Sequence, residues 1–558
     1  MMDAMNSRED TYLVDSDRAE TLKALSLDLP SIKLNLRQLC DLELLINRAY
    51  APLAGYMDGA AYHSVVRSMR LPGGELWPLP VCLDVSHAFA EQIACGQSIA
   101  LRDPEGFMLG VMRVTSVFEP DKEHDARLIF GDRSFAEHSG AFHYARRMGP
   151  VFLGGPVEGI HLPQHYDFTG MRKTPFEWRR AFLERGWTRV LGFQSEMLLH
   201  RAEMDALVTT AQAHDANVFF QTVISQPRLG DVEHFTLVRC HQAFVRRFPQ
   251  RRIAQGILPM SSLKAGPREA LIQALIQKNF GCTHVCFSER CIDPMLCDNK
   301  TDPYYDAGEA LSLLKKHESE IGVVTAPLET PQNPCSARFI FCEADVAANA
   351  QPSGVLDEEA TYPEIIAELR KIHPPRSEQG FTLFLTGLSG AGKSTIAKIL
   401  YVKLSEVNNR PITLLDGDIV RENLSSELSF SREHRILNVK RIGFVACEIT
   451  KNRGIAICAP IAPYDESRRD VRAAIEKYGG FIEIYVKTPL EVCVRRDRKG
   501  LYAKARAGLI KGVTGIDDPY EAPQSPELAI DASEITPFEA VQRIMDYIIG
   551  KGYVAASK

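Results

Sequence analysis

The chain has 558 residues, 45% of them hydrophobic and 24% charged, with a formal net charge of -6. That length predicts several domains, each able to bury its own core, and the composition excludes a disordered chain or a membrane protein. The negative balance argues against a general nucleic-acid binder, no apolar run approaches the ~20 residues of a membrane helix, and the acidic, polar start Met1 to Glu20 has no secretion-signal pattern; a cytoplasmic protein is expected.

From about Ser31 to Gln164 the chain reads mainly as short strands and turns. Residues 78–85 and 110–118 alternate or run apolar between Gly, Pro and Asp, which predicts a small β-rich domain. From Thr174 the pattern changes to alternating helix and strand. Helices are expected at Pro175 to Arg185, His200 to His214, a long stretch ending at Phe248, and Pro267 to Lys278. Strands are expected at 189–193, 218–224 and 283–287. Such alternation implies a parallel sheet with a ligand site at the strand C-termini. Thirteen cysteines are scattered through the chain. Cys282, Cys286, Cys291 and Cys297, with His284 among them, only half comply with the paired spacing of structural zinc, so core thiols are expected and no zinc.

The order Ala51-Pro52-Leu53-Ala54-Gly55-Tyr56-Met57, Gly192-Phe193-Gln194, His200-Arg201-Ala202 and Ala265-Gly266-Pro267-Arg268-Glu269-Ala270 resembles ATP sulfurylase over roughly Ile32 to Pro374. The chain departs from that family at its reacting motifs. The family's Q-T-R-N-P-x-H-R-A-H-E is here Gln194-Ser195-Glu196-Met197-Leu198-Leu199-His200-Arg201-Ala202-Glu203-Met204. The family's G-R-D-H-A-G is Ser288-Glu289-Arg290-Cys291-Ile292-Asp293, M-R-Y is Ser262-Leu263-Lys264, and the histidine of R-E-A-x-x-H is Gln273. Carboxylates at Glu196 and Glu289 reverse the field that a polyanionic adenylyl transfer needs, so a sulfurylase fold without a working site is expected. His200, Arg201, Lys264 and Arg268 remain basic.

Residues 332–375 carry prolines and a helical stretch from Tyr362 to Ile372, and Ser377 to Gly380 reads as a linker. The strand at 381–385 then meets Gly387-Leu388-Ser389-Gly390-Ala391-Gly392-Lys393-Ser394, followed by a helical pattern from Thr395 to Leu404. In that context G-x-x-x-x-G-K-S is a phosphate-binding loop: its backbone N–H groups curl around phosphate, Lys393 reaches the β/γ-phosphates, and Ser394 ligates Mg²⁺. A second strand, 411–415, closes on Asp416-Gly417-Asp418. Further strands at 454–458 and 481–486 lead to a charged, Gly-bearing segment, Arg495 to Glu521, that reads as a mobile lid. A last helix, Phe538 to Ile549, follows Thr536-Pro537.

Residues ~378 to 555 resemble adenosine 5′-phosphosulfate (APS) kinase through the phosphate loop, Leu415 to Asp418, Arg421, Phe430-Ser431, Arg435, Asn438, Arg441 to Gly443, Pro463-Tyr464 and Arg496-Asp497. The match continues through Lys499-Gly500-Leu501-Tyr502, Lys504 to Gly508 and Thr514 to Glu521. The resemblance implies transfer of the ATP γ-phosphoryl group to the 3′-hydroxyl of APS, giving 3′-phosphoadenosine 5′-phosphosulfate (PAPS). It implies catalytic roles for Asp418 and Lys393. ATP would meet Gly387, Ser389, Gly390, Ala391, Gly392, Lys393, Ser394, Thr395, Lys504 and Arg506. APS would meet Asp416, Asp418, Arg421, Phe430, Arg435, Asn438, Ile461, Lys499, Gly512 and Val513. Val513 stands where the family has a second adenine-facing aromatic, Ala462 replaces a serine, His434 an aspartate, and Asp465 the arginine of Pro-Tyr-Arg, with Arg468 and Arg469 as candidate stand-ins.

The expected molecule is therefore an α/β multidomain chain. It has a β-rich N-terminal domain (1–170), a Rossmann-like sulfurylase-type domain (171–325), a small linking subdomain (326–377) and a P-loop kinase with a parallel sheet (378–558). ATP, APS and Mg²⁺ are its implied ligands, and a homo-oligomer, dimer or hexamer, is implied by resemblance. A working bifunctional enzyme and a P-loop regulator without transfer chemistry stand as alternatives.

Overall fold

The computed structural model describes residues 11–133, 137–224, 234–248, 252–297, 302–328, 361–371, 374–497 and 500–555. These divide into two compact units, the first ending at Leu369 and the second beginning at Arg370. Arg376 lies in the second unit, donating to the Lys551 carbonyl with its guanidinium over the Tyr553 ring.

The first unit opens with a seven-stranded sheet. Its strands are β1 (Ser31–Lys33), β2 (Gly55–Tyr56), β3 (Leu83–Val85), β4 (Ser98–Arg102), β5 (Met108–Arg113), β6 (Ser116–Phe118) and β7 (Val151–Gly159). The order is β1-β4-β5-β7-β2, with β3 and β6 also paired to β7. Two expectations need correction here. The region is less purely β than its punctuation suggests, since helices span Leu36–Ile46, Gly59–Ser68 and Lys122–Phe130. The first of these is started by a reciprocal capping box between Asn35 and Gln38. The run 78–85 is strand only in its last three residues, as Pro78 and Pro80 cannot donate to a ladder.

Next comes a five-stranded parallel sheet of β8 (Val190–Ser195), β9 (Asn217–Val223), β10 (Ile253–Leu258), β11 (His284–Val285) and β12 (Val324–Thr325), ordered β10-β9-β8-β11-β12. Its central strand is buried on both faces. Leu191 and Phe193 pack with Leu207 and Phe220, while Val190 joins Trp178, Phe182 and Phe219 on the other side. Gly192 is required there, because a Cβ would lie 2.5 Å from the Gln277 side-chain oxygen and 2.8 Å from the Cys282 sulfur. Cys282 and Cys286 belong to the two hydrophobic clusters of this sheet, which accounts for them as core thiols. The helix ending near Phe248 is described from His234 to Val245. Residues 329–360 of the expected linking subdomain lie outside the described residues; beyond them a helix runs from Pro363 to Arg370.

The second unit carries β13 (Phe381–Thr386), β14 (Ile412–Asp416), β15 (Ile455–Ala459), β16 (Gly480–Val486) and β17 (Leu528–Ile530), all parallel and ordered β14-β15-β13-β16-β17. Alternation in β13 divides the core. Phe381, Leu383 and Leu385 face Ile457, Ile484 and Ile544, while Phe384 meets Cys458 and Phe481. The polar members of the strand are satisfied: Thr382 hydrogen-bonds Thr450, and Thr386 donates to the Ile461 carbonyl. The closing helix, Pro537–Gly550, starts on a Thr536/Glu539 capping box.

Candidate active site

The phosphate loop follows β13 and Asp416 ends β14, both at the C-terminal edge of the second unit's parallel sheet, where such sheets leave a crevice. β13 runs into the phosphate loop, and the helix Lys393–Val407 follows directly, two residues earlier than its periodicity suggests. Gly387 (φ 149°) passes so close to β16 that a Cβ would sit 2.4 Å from the Val486 carbonyl. Four of the loop's carbonyls accept from side chains. Lys393 Nζ donates to the carbonyls of Gly387 (2.9 Å) and Leu388 (2.8 Å), Tyr502 to that of Ser389 (2.8 Å) and Thr488 to that of Ala391 (2.9 Å). Because Tyr502 holds the Ser389 carbonyl from the core, the trans peptide directs the Gly390 N–H away from the core. Ser394 and Thr395 are exposed on the first helical turn. The positive helix-end dipole, the Gly390 N–H directed away from the core and the exposed Ser394 together fit a Mg²⁺-bound triphosphate.

β14 ends in Asp416, whose carboxylate accepts the Asp418 N–H at 3.1 Å and caps the helix Gly417–Leu424. Asp418 is exposed on its first turn. Arg421, one turn on, donates to the carbonyls of Leu428 and Ser429, and its guanidinium lies 4.3 Å from the centroid of Phe430. Partial burial and the nearby Arg435 hold Arg421 below the ordinary guanidinium range, against the pull of Asp418. Phe430 is 64% exposed. Asn438 is buried, and its Oδ1 has no hydrogen-bond partner among the described residues. A buried orphan acceptor of this kind fits a ligand donor such as an exocyclic amine.

Arg435 sits differently from the sequence expectation of a cation at the phosphosulfate. Its guanidinium is committed to protein partners: the carbonyls of Phe430 and Gly512, the Thr514 hydroxyl, and Asp518 at 3.0 Å. Asp518 also accepts from the Tyr464 hydroxyl, and Asp517 accepts from the N–H groups of Gly512 and Val513. The second half of the expected lid is thus tied down. Val513 packs on the core beside Leu388 and Leu490. The first half is also less free than its charge suggests: Leu501–Arg506 is helical, Tyr502 is buried in the core, and Lys504 and Arg506 are exposed on that helix. Lys499 lies outside the described residues. Ile461 contributes its carbonyl to Thr386 and the Gly387 N–H. Arg468 is unsuited to stand in for the missing arginine, being 2% exposed and bound to Glu483, Asp465 and the carbonyls of Ala462 and Glu521. Tyr464, Thr488, Tyr502, Thr514 and Asp518 received no role from the sequence; motif matching was the one signal that touched most of them.

In the first unit, Gln194 and Ser195 end β8, and Gln194 donates to Gln221 at 3.0 Å. Glu196 is paired with Lys264, which is wholly buried, takes a left-handed backbone (φ 58°) and also donates to the Cys291 carbonyl. Met197 supplies a carbonyl to His241. Glu203 accepts from Ser288 and Arg290. Glu289, expected to oppose an anion, instead lies exposed and accepts the Gly308 N–H, while its neighbour Arg290 pairs with Glu203. Burial, with Arg290 alongside, pushes the His200 imidazole down to about 4, so it is uncharged at neutral pH. Arg268 donates to the carbonyls of Val65, Val66, Pro78 and Leu128, and burial pushes it down to about 10. Lys264, Arg290 and Arg268 thus each have a protein partner among the described residues.

Three families match along the chain: a PUA-like domain over residues 6–162, ATP-sulfurylase over 169–332 and adenylylsulphate kinase over 379–531. Similar curated proteins include a sulfate adenylyltransferase of Chaetomium globosum, 38% identical over 97% of this chain and 96% of that one. One from Emericella nidulans is 38% identical over 98% of each. Among solved structures, a hexameric APS kinase from Thiobacillus denitrificans is 35% identical, covers 98% of both chains and has a TM-score of 0.70.

Proposed function

The chain belongs to the sulfate adenylyltransferase family as a fusion of an ATP-sulfurylase domain with an adenylylsulfate kinase domain, and from that premise we propose that its working activity is APS kinase. The observation that carries this reading is the shared sheet edge. It sets the phosphate loop, with Lys393 and Ser394, on the same rim as Asp418, Arg421 and the open Phe430 ring. ATP would lie with its triphosphate in the loop, and Lys393 would leave the carbonyls of Gly387 and Leu388 for phosphate oxygens. APS would lie with its adenine on Phe430 and within reach of the Asn438 Oδ1, its phosphosulfate toward Arg421. The Ser394 hydroxyl would hold Mg²⁺, which would supply charge neutralisation for the triphosphate. The 3′-oxygen forms a bond to the γ-phosphorus as the β–γ bridging bond breaks; Asp418 takes the hydroxyl proton and ADP departs. Asp418→Asn is expected to lower ADP formation from ATP plus APS by about 100-fold or more while ATP binding persists. Near-normal turnover would remove Asp418 from this role.

We propose further that the first unit no longer activates sulfate. Supporting this are the internal pairs Glu196–Lys264 and Glu203–Arg290, a neutral His200 and an Arg268 spent on backbone carbonyls. Adenylyl transfer to sulfate needs uncommitted cations around the α-phosphate. The second reading, a bifunctional enzyme, draws on the names of the whole-length relatives. Self-association in the cytoplasm completes the proposal, with the hexameric structure as its support and sedimentation velocity as its test.

A further inference from the structure

Tyr502 has no part in the transfer scheme, yet it joins two pieces of the site. It is the buried residue of the helix Leu501–Arg506, with its ring in the core beneath the loop and its hydroxyl 2.8 Å from the Ser389 carbonyl. The start of that helix is held by Asp497, which accepts the N–H groups of Tyr502 (3.3 Å) and Ala503 (2.9 Å). The peptide that Tyr502 grips is Ser389–Gly390, and Gly390 has φ 77°. A peptide next to glycine rotates readily, and a half-turn would replace the Gly390 N–H with a carbonyl oxygen facing the phosphates. A tether on the carbonyl from the core selects the orientation with the N–H directed away from the core.

We infer that Tyr502 is a positioning residue for the ATP phosphates, fixing the Ser389–Gly390 peptide and anchoring the helix that carries Lys504 and Arg506 to the phosphate loop. The inference rests on the ATP-binding reading of that loop. The Gly500-Leu501-Tyr502 stretch then has a physical role, because the helix that bears the exposed cations is bonded to the phosphate loop. Loss of the hydroxyl weakens ATP binding and leaves the APS side of the crevice unaltered.

The test is Tyr502→Phe in the full chain, which keeps the ring in the core. MgATP affinity is measured by calorimetry without APS. KM values for both substrates come from ADP release, and the melting temperature is recorded. The expected result is a roughly 3- to 10-fold rise in Kd and KM for ATP, the range of one neutral hydrogen bond, with KM for APS and the melting temperature unchanged. Unchanged ATP constants would overturn the inference. So would a fall in melting temperature with both substrates weakened together, since that describes a merely structural residue. If the wild-type chain binds MgATP but releases no ADP with APS, the kinase reading fails and Tyr502 is decided by the two affinities alone.

Discussion

Glu196 shows how far the fate of one side chain depends on its neighbours. Read in line, a carboxylate replaces an arginine and should repel an incoming anion. In the fold it has a buried partner, Lys264, so the position is electrically closed rather than negative. Pairs of this kind contribute little net stability, yet breaking one strands the other charge. Glu196→Leu is accordingly expected to destabilise the first unit by about 3–5 kcal/mol. The double variant Glu196→Leu with Lys264→Met should recover most of that loss in chemical denaturation. A single variant as stable as wild type would mean that Lys264 finds another partner. Glu289 teaches the opposite lesson: the same substitution one motif later is exposed, while its neighbour Arg290 pairs with Glu203. Neither outcome is legible in the sequence, because direction and pairing come from residues up to 87 positions apart.

At the scale of elements, the segment after β16 separates into a helix rooted by Tyr502 and a stretch clamped by Arg435 and Asp518. Its Gly and Lys/Arg content suggests one mobile lid, but composition does not record which backbone carbonyls a distant arginine will hold. Lys511 is exposed beside the clamped Gly512. Arg435→Met should therefore speed tryptic cleavage after Lys511 at least roughly tenfold, the factor that a lost charge-assisted bond of about 1.5 kcal/mol gives in a local opening equilibrium. Peptide mass spectrometry reads the cut directly, and equal rates in both proteins would show that Arg435 is not the clamp. Other elements are plain in the sequence. The apolar run of β13, the glycines after it and the Thr536-Pro537 start each have local causes, and each appears where those causes place it. Residues 78–85 depart from expectation because alternation alone ignores what two prolines do to a ladder.

Across the whole molecule, two units with separate cores match two enzyme families, ATP-sulfurylase and adenylylsulphate kinase, and turnover is proposed for only one of them. The second unit keeps an open acceptor, an open ring and an exposed carboxylate on one sheet edge; the first has turned its charges on one another. Family membership and fold are legible from motifs, since those record local geometry that cannot vary much. The proposed division of activity is already an expectation of the sequence, from the carboxylates at Glu196 and Glu289; what the fold adds is the partner each charged group meets. The most direct test is a paired assay on one purified sample: ADP formed from ATP plus APS, and ATP formed from APS plus pyrophosphate. The first reaction is expected and none of the second. Clear ATP formation in the second would contradict the proposal and establish a bifunctional enzyme whose sulfurylase site works without the family's arginines.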